Sequence, residues 1–296
     1  MGISGNISEK DIIRFMKPLD GIRLLSLATN IPGPLAVARL IGLGASGRKV
    51  EPPAGDPLAA AAPAWYAHLH EGLPVRRLDL KSAAGQSQLH ELLAESDLLI
   101  TANRPAALSR LSLDWPALAG AYPRLCQVAI FGNAPPDAGK AGHDLTYQAG
   151  LGLVEPPNLP RIVLADLAGA EWAVSAALAL LIGRDRGMIA ADRYAAVALA
   201  DAAAAFAAPL QYGLTGPGGL LAGSLPGYNL YPAQAGWVAV AVLEAHFLRR
   251  LAEEIGLAEK KLTFDTLSKT FLRRPAGEWE RWAAERDLPI VAVRDT

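Results

Sequence analysis

Short apolar runs alternate with amphipathic stretches along the first two hundred residues. Ile22-Arg-Leu-Leu-Ser-Leu reads as a buried strand that ends in the turn Asn30-Ile-Pro-Gly-Pro. Residues 35–43 read as a helix closed by Gly44-Ala-Ser-Gly, and Arg48-Lys-Val-Glu-Pro-Pro reads as a second strand stopped by proline. Strand, helix and strand joined by short loops predict a βαβ unit and hence a parallel sheet. The alternation continues with a helix over 89–94, a strand over 97–101, a helix over 105–111 with proline in its first turn, a helix over 115–121 and a strand over 125–131. A helix is expected to begin at His143. A long alanine-rich helix follows over 170–182, with Asp166 standing before it, then a strand over 193–199 and a helix over 201–208 that Pro209 ends. The texture then changes. Residues 213–235 are rich in glycine and proline and read as a linker between a large α/β domain over 1–212 and a small α/β domain over 236–296. The small domain is expected to hold strands at 237–242 and 290–293 around helices at 247–255, 262–271 and 277–284.

Composition narrows the classes of partner. Of 296 residues, 51% are hydrophobic and 19% charged, enough for a sizeable core. The net charge is -1 and basic residues run no longer than pairs, so neither nucleic acid nor an anionic membrane is expected as partner. The apolar stretch 168–182 carries Glu171 and is expected to be too short to span a bilayer. A single cysteine, Cys126, excludes an internal disulfide framework and fits a reducing, cytoplasmic setting. Lying in Leu125-Cys-Gln-Val-Ala-Ile, it reads as a buried strand thiol rather than a nucleophile. The amino-terminal residues show no secretion signal, and Asn6 stands where a myristoylation motif wants Ser or Thr.

Several common motifs are missing: Gly-x-Gly-x-x-Gly after a strand, the P-loop, Gly-x-Ser-x-Gly, paired cysteines and His-Glu-x-x-His. Gly42-Leu-Gly44 closes a helix instead of opening one, so no nicotinamide cofactor is expected. His68 and His70 flank Leu69 with no evident third ligand, so no metal is expected. The candidate chemistry lies in three separated residues: His143 in Ala-Gly-His-Asp-Leu-Thr-Tyr, Asp166 in Val-Leu-Ala-Asp-Leu-Ala-Gly-Ala, and Glu244 in Val-Ala-Val-Leu-Glu-Ala-His-Phe. They supply a base, an acid and a carboxylate able to orient an imidazole. Such groups suit proton transfer beside a thioester, or carboxylate attack on it. Each also has a plainer reading, since Asp144 and Asp166 stand where helix-capping groups belong.

An ordered series of motifs resembles the family III CoA-transferases, a superfamily that also contains α-methylacyl-CoA racemase. The series runs Leu19-Asp-Gly-Ile-Arg-Leu-Leu, Pro32-Gly-Pro-Leu-Ala, Lys49-Val-Glu-Pro-Pro-Ala-Gly-Asp-Pro, Leu78-Asp-Leu-Lys, Asn103-Arg-Pro, Leu113-Asp-Trp-Pro-Ala-Leu, Pro123-Arg-Leu and Gly142-His-Asp-Leu, and the likeness extends from about Pro18 to the chain end. The resemblance implies a large Rossmann-like, CoA-binding domain joined to a small one, in an interlocked homodimer. It implies an acyl-CoA substrate, with coenzyme A carried as part of that substrate. By the same likeness Asp166 is the nucleophile of the transferases, passing through acyl-aspartyl anhydride and thioester intermediates. In the racemases it is one proton carrier, His143 the other, and Glu244 the support of the histidine. Because transferases usually lack that histidine and glutamate, racemase-type α-proton exchange is the first expectation. CoA transfer through Asp166 is the alternative, and a non-catalytic member that binds a partner subunit is a third. Arg104, Lys49, Glu51 and Arg39 are the expected CoA-binding residues. The chain departs from the family at Ala38, where arginine is common, and at Leu69-His-Glu-Gly-Leu-Pro74, which lacks the usual cations. The segment from His143 to Asp166 is shorter than in typical racemases, and the chain stops at Arg294-Asp-Thr where a further segment is usual. Weak CoA binding is the expected consequence.

Overall fold

The computed structural model describes residues 17–294. The amino-terminal expectations, on a secretion signal and on Asn6, lie outside them, as do the last two residues. The chain forms two compact units, Met1–Phe206 and Ala207–Thr296.

The first unit is built on six parallel strands: β1 (Arg23–Ser26), β2 (Ser46–Glu51), β3 (Val75–Arg77), β4 (Leu98–Thr101), β5 (Cys126–Phe131) and β6 (Tyr194–Ala198). Their order in the sheet is β3-β2-β1-β4-β5-β6. The order reverses between β1 and β4. Outside the carboxyl ends of those two strands lies the crevice in which open α/β sheets of this kind bind ligands. The helices of this unit are α1 (Pro32–Gly42), α2 (Pro57–Ala61), α3 (Pro63–Leu69), α4 (Ala83–Ala94), α5 (Pro105–Arg110), α6 (Trp115–Ala121), α7 (Asp144–Gly150), α8 (Leu164–Asp185) and α9 (Leu199–Phe206).

Side chains alternate across the sheet with the period of two that a pleated strand imposes. Leu24, Leu98, Ile100 and Val128 pack with α1 and α8 on one face. Leu25, Leu99 and Ala129 pack with Leu89, Leu93, Leu108 and Leu118 on the other. Both faces being covered, the central strands read as continuous apolar runs, and all six residues of β5, Cys126 among them, are buried.

Helix α8 is longer than its alanine pattern predicts. It spans 22 residues and is long and apolar enough to cross a membrane by length and composition alone. Here its small-residue face, Ala165, Ala168, Gly169, Ala170, Ala173 and Ala177, packs in the core against the sheet and neighbouring helices. A Cβ on Gly169 would collide with Leu199, so glycine at that position sets how closely α8 and α9 approach.

The second unit holds α10 (Ala208–Gln211), an antiparallel sheet β7-β8-β9 (Tyr228–Pro232, Trp237–Ala241, Ile290–Ala292) and the helices α11 (Ala245–Glu254), α12 (Phe264–Phe271) and α13 (Ala276–Ala284). Val238, Val240, Leu251, Leu267, Phe271, Trp279 and Ile290 form its core. Two expectations are corrected here. The segment 213–235 is not all linker, because Tyr228–Pro232 pairs with Trp237–Ala241 as a strand. Pro209 does not end α9, which stops at Phe206; it sits in the first turn of α10, where its missing N–H has no partner to lose.

Candidate active site

A cavity of about 540 Å³ opens at the switch point of the first unit. Its walls come from the turn after β1 (Thr29 to Pro32), the start of α2 (Pro57, Leu58), the turn after β4 (Ala102 to Arg104), the end of β5 and the loop leading into α7. His143 and Asp166 both line it. The two residues are 23 positions apart in sequence, and the fold brings them to one pocket because α7 packs against α8.

Asp166 does not precede its helix, as the alanine pattern suggests. It occupies the first turn of α8, whose own N-cap residue, Val163, supplies no side-chain cap. The cap comes from Asp144 on α7. Its Oδ1 accepts from Ala165 N–H (2.6 Å) and Asp166 N–H (3.3 Å). Gln148, one turn along α7, fixes the other oxygen: its Nε2 donates to Asp144 Oδ2 (2.6 Å) and to the Ile162 carbonyl (2.8 Å). Asp144, in the first turn of its own helix, therefore also faces the dipole of α8.

This arrangement sets the acidity of Asp166. A carboxyl in a helix first turn is ordinarily stabilised as the anion. Here burial and then the neighbouring charge of Asp144 push its pKa up to about 6, against a smaller opposing effect of His143. The group still ionises near neutral pH, and its anion is poorly solvated. Such a carboxylate suits nucleophilic attack or proton transfer. Behind it lies Tyr147, nearly buried, its phenol pushed up by burial and by the charge of Asp166. A Cβ on Gly132 or Gly142 would overlap the Tyr147 hydroxyl, so both cavity-lining glycines are needed to seat that ring.

His143 is exposed at the N-cap of α7, and its N–H donates to the Thr146 hydroxyl (3.1 Å). Glu244 lies on the other unit, exposed at the N-cap of α11.

The expected CoA-binding residues divide. Arg104 lines the cavity at the N-cap of α5 and makes no ion pair among the described residues. Lys140, in a segment whose sequence gives no signal of a site, is a second cation on the wall, paired with Asp137 at 2.8 Å. Arg39 is not on the wall; it pairs with Glu171 of α8 at 2.6 Å. Lys49 and Glu51 are corrected outright. Both side chains are withdrawn from solvent, with exposures of 1% and 2%, and pair with each other at 3.1 Å. Their charges are consumed inside the fold and do not reach a ligand.

His70 also has a different setting from the one beside His68 that the sequence suggests. Glu51, Asp56 and His70 bring ligand atoms within 4.8 Å of one another, a grouping that suits a cation. The Lys49 ammonium stands among them, 2.6 Å from Asp56 and 2.8 Å from His70.

Known proteins resemble this chain in sequence and in fold. Residues 19–296 match the sequence profile of CoA-transferase family III. Cinnamoyl-CoA:phenyllactate CoA-transferase of Clostridium sporogenes is 35% identical over 145 residues, which cover 43% of this chain and 34% of that protein. Succinyl-CoA–D-citramalate CoA-transferase of Chloroflexus aurantiacus is 28% identical over 272 residues, 82% of this chain and 66% of that protein. The chain thus spans between one third and two thirds of the length of these relatives. In fold it is similar to a CaiB/BaiF family protein from Brucella suis, with a TM-score of 0.78, 22% identity, and coverage of 95% of this chain and 85% of that one.

Proposed function

The chain belongs to CoA-transferase family III, and from that premise we propose that it moves coenzyme A between carboxylic acids with Asp166 as the nucleophile. The observation that carries the reading is a half-buried carboxylate, its pKa raised to about 6, on the wall of the switch-point cavity. The names of its relatives, CoA-transferases acting on cinnamoyl-CoA and succinyl-CoA, point the same way.

In the proposed reaction an Asp166 oxygen attacks the thioester carbonyl carbon. The C–S bond breaks, and coenzyme A leaves as the thiolate. The resulting acyl-aspartyl anhydride is attacked at the aspartyl carbonyl by that thiolate, which frees the first carboxylate and leaves a thioester on Asp166. An acceptor carboxylate then attacks this thioester, breaking its C–S bond to expel the thiolate and form a second acyl-aspartyl anhydride. The thiolate attacks the new acyl carbonyl of that anhydride, giving the new acyl-CoA and freeing the Asp166 carboxylate. Four acyl transfers proceed without any net proton change. Arg104 and Lys140 supply the positive charge that phosphates and carboxylates require.

Arg104→Ala is expected to weaken coenzyme A binding by about 1.5–3 kcal/mol, roughly ten- to a hundredfold, the worth of a charge-assisted contact. Titration calorimetry reads this directly, and an unchanged affinity removes Arg104 from the site.

A second reading rests on a specific observation: His143 lines the same cavity as Asp166 and shifts its acidity. Two proton carriers beside one acyl chain would exchange an α-hydrogen, as a racemase does. One experiment separates the readings. The protein is incubated with a panel of acyl-CoAs in deuterated water, with and without free carboxylic acids, and the products are read by mass spectrometry. New acyl-CoA formed only with an acceptor supports transfer. Deuterium at the α-carbon without an acceptor supports exchange. His143→Ala is expected to cut exchange about a hundredfold, the scale of losing a general base, and to change transfer only a few-fold. If neither product forms, both catalytic readings fail.

A further inference from the structure

The cavity has one wall whose shape depends on a buried ion cluster that no step of the proposed reaction uses. Lys49 leaves β2 and points into the protein. Its ammonium carries three N–H groups and meets three acceptors: Asp56 Oδ2 at 2.6 Å, His70 Nε2 at 2.8 Å and Glu51 Oε1 at 3.1 Å. Each neighbour is fixed in turn. The His70 Nδ1–H donates to the Tyr66 carbonyl (2.6 Å), which leaves Nε2 free of hydrogen and able to accept from lysine. The Tyr66 hydroxyl donates to Glu51 (2.7 Å), and the Tyr66 ring stacks on His70 with centroids 4.0 Å apart. Arg77 approaches Glu51 from the solvent side at 4.0 Å. Burial of His70 and the nearby lysine charge hold its pKa below the usual value, consistent with a neutral ring.

The remaining oxygen of Asp56 faces the cavity loops. Asp56 Oδ1 accepts from Asn30 N–H (3.0 Å) and from Leu58 N–H (2.9 Å). Asn30 is the left-handed residue of the turn after β1, with φ 66°. Leu58 lies in the first turn of α2, for which Asp56 is the N-cap. Both residues line the cavity. A single carboxylate therefore ties two loops from different strands, and its orientation is fixed by the ammonium behind it.

We infer that Asp56, held by Lys49, is a positioning residue that sets the coenzyme A-binding wall at Asn30 and Leu58, apart from the chemistry at Asp166 and His143. The inference rests on the reading that this cavity takes a CoA thioester. It assigns to the Lys-Val-Glu-Pro-Pro-Ala-Gly-Asp stretch a role in shaping the pocket from behind. Asp56 touches the wall through backbone amides only, so its loss changes affinity and leaves the acyl-transfer steps in place.

The test compares Asp56→Ala with Asp56→Asn. Free coenzyme A serves as the binding probe in calorimetry, and CoA transfer is followed over a range of acyl-CoA concentrations up to saturation. Asp56→Ala removes the acceptor of both amides. It is expected to weaken coenzyme A binding and raise KM at least about tenfold, with kcat within about threefold of the wild type, the effect of unpairing two hydrogen bonds in a wall. Asp56→Asn keeps nearly the same shape and an oxygen for both amides, at a cost in stability because its NH2 then faces the Lys49 ammonium. Once circular dichroism shows it folded, it is expected to recover most of the affinity. Hydrogen exchange at the Asn30 amide, slow in the wild type and in Asp56→Asn, should be fast in Asp56→Ala. Wild-type affinity in a folded Asp56→Ala protein overturns the inference, as does a loss confined to kcat, or an Asp56→Asn protein whose Asn30 amide exchanges freely. A wild-type protein that binds no coenzyme A overturns the parent reading, and this one with it.

Discussion

Replacing Asp166 with asparagine is expected to abolish CoA transfer and, at neutral pH, to make the folded chain more stable. The first effect follows from the nucleophile's place in the proposed cycle. Every covalent step forms or breaks a bond to that carboxylate, and losing such a group costs about 10⁴-fold or more in turnover. The second follows from its acidity. Folding raises the Asp166 pKa from 3.8 to about 6. Below pH 4 both states hold the proton and ionisation costs nothing. Between about 4 and 6 the unfolded chain releases it while the folded chain retains it, so stability falls as pH rises. Above 6 the full penalty is present, about 1–2 kcal/mol after allowing for the partial exposure of the group. An uncharged amide escapes it. Denaturant titrations at pH 4 and pH 7 should show the variant matching the wild type at the lower pH and exceeding it at the higher. The wild-type rate should climb through pH 6 and level off, because the attacking form is the anion. Retained turnover in Asp166→Asn removes the nucleophile, and a stability gap that does not open with pH removes the account of its acidity.

Lys49→Met should be among the most destabilising single changes in the first unit. The substitution keeps much of the volume but leaves Asp56 and Glu51, exposed by 4% and 2%, without the cation they share. Breaking a buried pair by removing one partner costs about 3–5 kcal/mol. For a unit of this size that lowers the melting temperature by about 10 °C. A matched control is Lys140→Met, whose exposed pair with Asp137 is worth less than about 1 kcal/mol. Thermal unfolding followed by circular dichroism distinguishes the two. Equal small shifts in both variants contradict the buried cluster as a source of stability.

Much of the fold is legible in the pattern of apolar positions, and what escapes it has identifiable causes. Strands β1, β4 and β5 announce themselves because both of their faces are covered. Strand β3, Val-Arg-Arg, is at the sheet edge with all three residues exposed, so it carries no apolar signal. Helices α2 and α3 are short and begin at prolines within an alanine-rich stretch that shows no period. Strand β7 ends on Pro232 beside a glycine-rich segment and so looks like loop. The site is readable in the same uneven way. His143 and Asp166 stand in recognisable frames and reach one cavity. The start of α8 is hidden in the sequence because its cap is tertiary: Asp144 reaches it from another helix, more than twenty residues earlier in the chain, and no local rule reveals that. Lys49 and Glu51 have the look of ligand-binding charges, and only the folded sheet shows that they point inward.

The opening of α1 has a consequence for molecular discrimination. The strand order is that of nicotinamide-binding proteins, in which backbone N–H groups at the first helix grip a pyrophosphate. In this chain Pro32 and Pro34 occupy two of the first three helical positions, and proline has no N–H to offer. The glycine between them is filled from below, since a Cβ on Gly33 would overlap Ala28. Of the first three helical positions only Gly33 thus offers a backbone N–H at the place where the topology would put a dinucleotide. A phosphate in this crevice would therefore meet fewer main-chain donors at α1 than the topology ordinarily provides.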